Sequence, residues 1–96
     1  MPTIEDIKAV ACKLGSKYGA ESIYLFGSYA RGDQREDSDI DLRLNKGAIR
    51  GLQIGGLYSD FSDSLNKPVD LLETASLDDY FLSQIKNEEV LLYARA

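Results

Sequence analysis

A single α+β domain, α/β-like in its alternation and with helices packed on one sheet, is predicted by three observations. From one end of the chain to the other, stretches with apolar residues at helical spacing alternate with short apolar runs of strand length. Ninety-six residues suffice for one domain, residues 1–96, with a modest core. Hydrophobic residues at 44% and charged residues at 28% give the balance of an ordinary globular chain.

The first element is a helix from Thr3 to about Tyr18. Thr3 is placed to cap it, and Glu5 and Asp6 sit in the first turn, where the helix dipole favours acids. Ile4, Ile7, Val10, Ala11, Leu14 and Tyr18 form its apolar stripe, and Gly19 ends it. Ser22 to Phe26 is the first strand. Ser28 to Gly32 makes one or two helical turns, and Asp33 to Ser38 a polar loop. Asp39 to Leu44 is the second strand. Ile49, Leu52, Leu57, Phe61 and Leu65 predict a second long helix over Ala48 to Leu65. Gly51, Gly55 and Gly56 count against it, at about 1 kcal/mol each relative to alanine, and point to close packing or a break. Lys67-Pro68 stops it. Val69 to Leu72 is a third strand, Leu77 to Asn87 a helix capped near Ser76, and Val90 to Tyr93 a short final strand.

Composition removes several function classes. The formal charge is −5, with no basic stripe, so a stable complex with duplex DNA is not expected. There is no histidine, which excludes His-based triads and typical zinc sites. Cys12 stands alone, so no intrachain disulfide forms; this fits a cytoplasmic chain, and an inert helix thiol is its expected role. No apolar run reaches membrane-spanning length, and the N-terminus does not read as a signal peptide.

The chemistry is concentrated at Gly27-Ser28 and at Asp39-Ile40-Asp41. Alternate side chains of a strand share a face, so Ile40, Leu42 and Leu44 face a core while Asp39 and Asp41 project together from the other side. Two adjacent carboxylates repel unless a cation lies between them, and oxygen ligands suit Mg²⁺. A glycine turn before a short helix offers backbone N–H groups to phosphate, and Gly27 lets the backbone approach it closely. Either feature alone is ordinary: a turn glycine, a helix-cap serine, a solvated strand face. Their spacing raises both. Arg31 is placed either to bind phosphate or to pack on the loop. Asp70 lies in the apolar run Pro68-Val69-Asp70-Leu71-Leu72, where burial would be expensive without a partner or metal; the alternative is a strand-end acid exposed on an edge. An EF-hand is the nearest competitor for Asp37-Ser38-Asp39-Ile40-Asp41, but Leu42 stands where its glycine belongs and Ala48 where its glutamate belongs.

Gly27-Ser28-Tyr29-Ala30-Arg31-Gly32, followed by Ser38-Asp39-Ile40-Asp41-Leu42, resembles the signature of the DNA polymerase β-type nucleotidyltransferase superfamily. At this length the chain most resembles its minimal nucleotidyltransferase (MNT) branch. The resemblance implies a small mixed sheet with helices behind it. It implies two Mg²⁺ ions held by Asp39 and Asp41, with Asp70 as the third acid, and triphosphate, ATP in the first instance, held by Gly27, Ser28 and the local N–H groups, with Arg31 as a further candidate from its own position. The implied reaction is transfer of a nucleoside monophosphate to a hydroxyl, with release of pyrophosphate. Small MNT-like proteins resemble antitoxins whose partners are HEPN-domain ribonucleases, neutralised by AMP transfer to a tyrosine or by binding alone. The chain has no room for an acceptor-binding domain, so a partner surface or a homo-oligomer must supply the acceptor. Tyr58, Phe61, Tyr80, Phe81 and Tyr93 are candidates for that surface, although core packing is the commoner role. Arg43 departs from the family's apolar residue and shares the acidic face, where it is expected to pair with a catalytic acid, compete with metal or reach a phosphate.

Overall fold

The computed structural model describes residues 1–95. Helix α1 covers Ile4–Tyr18. The Thr3 hydroxyl accepts from the Asp6 N–H at 3.1 Å, and the Asp6 carboxylate accepts from the Thr3 N–H at 2.9 Å. This reciprocal cap satisfies two N–H groups that no helical carbonyl can reach. Gly19 closes the helix in the left-handed region, as expected. Strand β1 is Ser22–Phe26, the short helix α2 is Ser28–Arg31 and strand β2 is Ile40–Asn45.

Helix α3 runs over Gly51–Leu65, starting later than Ala48 because residues 46–49 are held in a turn by the Ile49 N–H to the Lys46 carbonyl, 3.0 Å. Its glycines do not break it. Gly51 and Gly55 face open space; at Gly56 an added Cβ would come 3.1 Å from the Tyr18 hydroxyl, so this one permits close packing of α1 on α3. Strand β3 is Val69–Glu73. A 3₁₀ turn at Thr74–Ser76 follows, and it moves the start of α4 to Asp79–Lys86. Asp78, not Ser76, caps α4, accepting from the Phe81 N–H at 2.7 Å. Strand β4 is Val90–Ala94.

The four strands lie in the order β3-β2-β1-β4. β1 is antiparallel to β2 and β4, while β2 and β3 are parallel, so the sheet is mixed. A parallel pair needs a long crossover, and α3 supplies it. Ile23, Leu25, Leu42 and Leu44 are fully buried on one sheet face, in a core with Ile7, Ala11, Leu14, Leu57 and Phe61 of α1 and α3. Alternation puts Tyr24, Phe26, Asp41, Arg43 and Asp70 on the other face. α4 belongs to that side: the Phe81 ring meets Phe26 edge-on, with centroids 6.1 Å apart. Of the aromatic residues considered for a partner surface, Phe61 is core and Tyr93 lies half-buried beside Gly15, whereas Tyr58, Tyr80 and Phe81 are exposed. Among the described residues, no helix is long and apolar enough to cross a membrane.

Candidate active site

Gly27 joins β1 to α2 with φ 76° and ψ −155°, a combination that side chains disfavour. It is buried, and a Cβ there would collide with the Asp41 carboxylate. One glycine therefore brings the turn and the acid into contact. Gly27 is the N-cap of α2, and Ser28 opens the helix, so the cap position does not consume the Ser28 hydroxyl. Gly27→Ala is expected to cost about 1–3 kcal/mol from backbone strain alone and to push the Asp41 carboxylate away. Denaturant unfolding checks the first effect, and triphosphate affinity the second.

Asp41 pairs in register with Phe26 of β1 and with Asp70 of β3. Asp39 lies one residue before β2 and is exposed. Asp70 is also exposed: β3 is an edge strand and Asp70 lies on its face away from the core, whereas neighbouring Val69 is buried, so of the two readings the exposed edge acid is the one observed. Its position beside Asp41 nonetheless matters electrostatically. Burial, then the negative charges of Asp70 and Asp39, push the Asp41 carboxyl up to about 6, with Arg31 opposing and Glu88 adding to the rise. Among the described residues, no three acids converge closely enough to enclose a metal ion. The oxygen-only donors and their unbalanced negative charge still fit a hard divalent cation, which the two flanking exposed carboxylates could meet by side-chain rotation.

Arg43 does not pair with these acids. It is 5% exposed, and its guanidinium makes a two-pronged pair with Glu89, at 2.9 and 2.8 Å. A third nitrogen donates to the Thr74 hydroxyl at 2.9 Å, and the Tyr24 ring lies 4.2 Å from the guanidinium carbon. Its hydrogen bonds go to Glu89 and Thr74, so the expected pairing with a catalytic acid does not occur. Arg31 pairs with Glu88 and Asp33. Glu88 also accepts from the Gly27 N–H at 3.1 Å. Sequence reasoning missed Glu88 and Glu89; the signal available was a pair of acids directly before the last apolar run. A surface cavity of about 710 Å³ lies between the start of α1 and the end of α3, and none of the site residues lines it.

The chain is similar to known proteins in sequence and in fold. The family described as polymerase beta, nucleotidyltransferase matches residues 8–96. A provisionally named protein adenylyltransferase of Methanocaldococcus jannaschii is 34% identical over 96 residues, covering 95% of this chain and 98% of its own. Among solved structures, a provisionally named minimal nucleotidyltransferase superposes with a TM-score of 0.79 at 29% identity, over 93% of this chain and 95% of that one. A crystal structure of a toxin–antitoxin with AMP-PNP gives 0.74 at 26% identity, over 94% and 73% of the respective chains.

Proposed function

The chain belongs to the polymerase beta nucleotidyltransferase family, and from that premise we propose that it transfers AMP from ATP to a tyrosine of a HEPN-domain toxin, acting as its antitoxin. The observation that carries this reading is the contact between the Gly27 turn and Asp41, with Asp39 and Asp70 beside it. The turn read as phosphate-binding and the acids read as cation-binding would thereby act side by side. The similarity to a protein adenylyltransferase and to a toxin–antitoxin with an ATP analogue supports the choice of AMP and of a toxin as acceptor.

In this reading the acceptor oxygen forms a bond to the α-phosphorus, the bond from that phosphorus to the pyrophosphate oxygen breaks, and the hydroxyl proton leaves. Asp39, Asp41 and Asp70 would hold Mg²⁺, whose charge offsets that of the phosphates and of the acceptor oxygen. Ser28, with the first N–H groups of α2, would hold the phosphate chain. Arg31 would add positive charge to it. Asp70, exposed at the sheet edge, is reachable by an incoming acceptor and would accept its proton. The work of these residues is positioning and charge neutralisation. Peptide mapping of the partner after incubation with ATP and Mg²⁺ tests the acceptor. AMP on a tyrosine is expected; AMP confined to serine or threonine would discard that assignment.

The raised Asp41 carboxyl also sets a pH dependence. Its folded form holds a proton above the usual carboxylate range, so its contribution favours the fold at low pH and is lost as pH rises from about 4 through about 6. Mg²⁺ competes with that proton. The Mg²⁺-induced rise in melting temperature is therefore expected to be larger at pH 7.5 than at pH 5, and Asp41→Asn should remove the difference.

A further inference from the structure

Two of the donors read as phosphate ligands, the Gly27 N–H and the Arg31 guanidinium, are already engaged by an acid of this chain. Glu88 Oε1 accepts from the Gly27 N–H at 3.1 Å and from Arg31 Nη1 at 3.2 Å, and Oε2 accepts from the same Nη1 at 3.0 Å. The bond from Gly27 is partly buried, whereas the Arg31 pair is exposed, with the Glu88 side chain 24% and the Arg31 side chain 47% exposed. The contact is anchored. The Glu88 and Glu89 N–H groups both donate to the Ile85 carbonyl at 3.0 Å, and Ile85 is buried. The next side chain along, Glu89, is held by buried Arg43. The backbone of the α4–β4 turn is thus fixed, while the three side-chain torsions of Glu88 leave its carboxylate able to swing away. Glu88 gains a hydrogen bond and an ion pair here, yet adds negative charge beside Asp41.

We propose that Glu88 is a built-in competitor of the nucleotide: its carboxylate occupies the Gly27 and Arg31 donors, and a triphosphate binds by displacing it. The inference rests on the reading of Gly27 and Arg31 as phosphate ligands. Carboxylate and phosphate are both anionic acceptors, and the one Gly27 N–H cannot make a good bond to both. Bound triphosphate would therefore leave Glu88 turned away, and each binding event would include the loss of its contacts. A residue that merely supported Arg31 would behave in the opposite way, because its removal would loosen the arginine and weaken binding.

Calorimetric titration of a non-hydrolysable ATP analogue with Mg²⁺ tests this, on the wild type, Glu88→Gln and Glu88→Ala. Glutamine keeps the size and one acceptor oxygen, so it guards against a folding defect in the alanine variant. Affinity is expected to rise roughly threefold to tenfold in Glu88→Ala and less in Glu88→Gln. The gain should shrink when Arg31→Ala is added, because one of the contested donors is gone. Unchanged or weaker binding in folded Glu88 variants, with the wild type binding normally, would overturn the competitor role alone. Absence of binding in the wild type and both variants would overturn the phosphate site together with it.

Discussion

Asp39→Asn combined with Asp41→Asn is expected to abolish Mg²⁺-dependent triphosphate binding and to lower AMP transfer by on the order of 10³-fold or more, with the fold intact. Asparagine preserves the size of each side chain and its ability to accept a hydrogen bond, but not its charge. The local backbone does not depend on either charge: Ile40, Leu42 and Leu44 hold β2 in the core, and β1 and β3 pair with it on both sides. A second effect of opposite sign should accompany the loss. The Asp41 carboxylate is partly desolvated and faces Asp70, Asp39 and Glu88. Asp41→Asn alone should therefore raise the melting temperature of the metal-free protein at neutral pH while removing activity. A stability gain together with an activity loss marks a residue kept for its chemistry. If the single variant instead melted lower in the absence of metal, Asp41 would be a structural acid with a partner.

Arg43→Leu is expected to destabilise the protein by about 3–5 kcal/mol, because it leaves the Glu89 carboxylate buried without its partner. The side chains of Arg43 and Glu89 are only 6% and 10% exposed, so water cannot replace the lost pair. Such a cost is a large fraction of the roughly 5–15 kcal/mol that holds a domain of this kind folded. Arg43→Leu combined with Glu89→Leu should recover most of the loss, since removing both charges leaves no buried ion. Arg43→Lys should fall between them, lacking both the two-pronged geometry and the planar contact with Tyr24. Denaturant unfolding of the three variants reads these differences. A loss below about 1 kcal/mol in Arg43→Leu, as for an exposed pair, would contradict the structure.

The parts of this molecule that were legible in its sequence are those written locally. Strand β1 and the stop of α1 at Gly19 follow from period and cap chemistry within a few residues. Gly27 and Asp41 could be paired because the turn and the strand each carry a recognisable pattern, and the structure puts them in contact. The long-range pairings were not legible. Arg43 and Glu89 stand 46 positions apart, and nothing near Arg43 says that its partner is Glu89. The apolar run around Asp70 leaves burial and edge exposure both open, because the choice depends on the order of strands, and β3 is at the edge. The start of α4 was misplaced for a smaller reason. Both Ser76 and Asp78 can cap, and the 3₁₀ turn that absorbs Ser76 is a short-range choice the pattern does not encode.

The site's economy follows from these placements. Asp41 lies against the Gly27 turn, Glu88 lies against the same turn, and the next residue after Glu88 is anchored by Arg43. Arg43, where the family pattern has an apolar residue, is thus tied to Glu89 and Thr74 and not to Asp41.

The most direct test of the account is transfer of label from α-phosphate-labelled ATP, with Mg²⁺, to the protein encoded by the neighbouring reading frame. The Asp39→Asn/Asp41→Asn variant runs beside the wild type. Label on the partner with the wild type, absent with the variant, is the predicted result. A stable complex that carries no label would contradict catalysis and make this chain a binding module that neutralises its partner by contact alone.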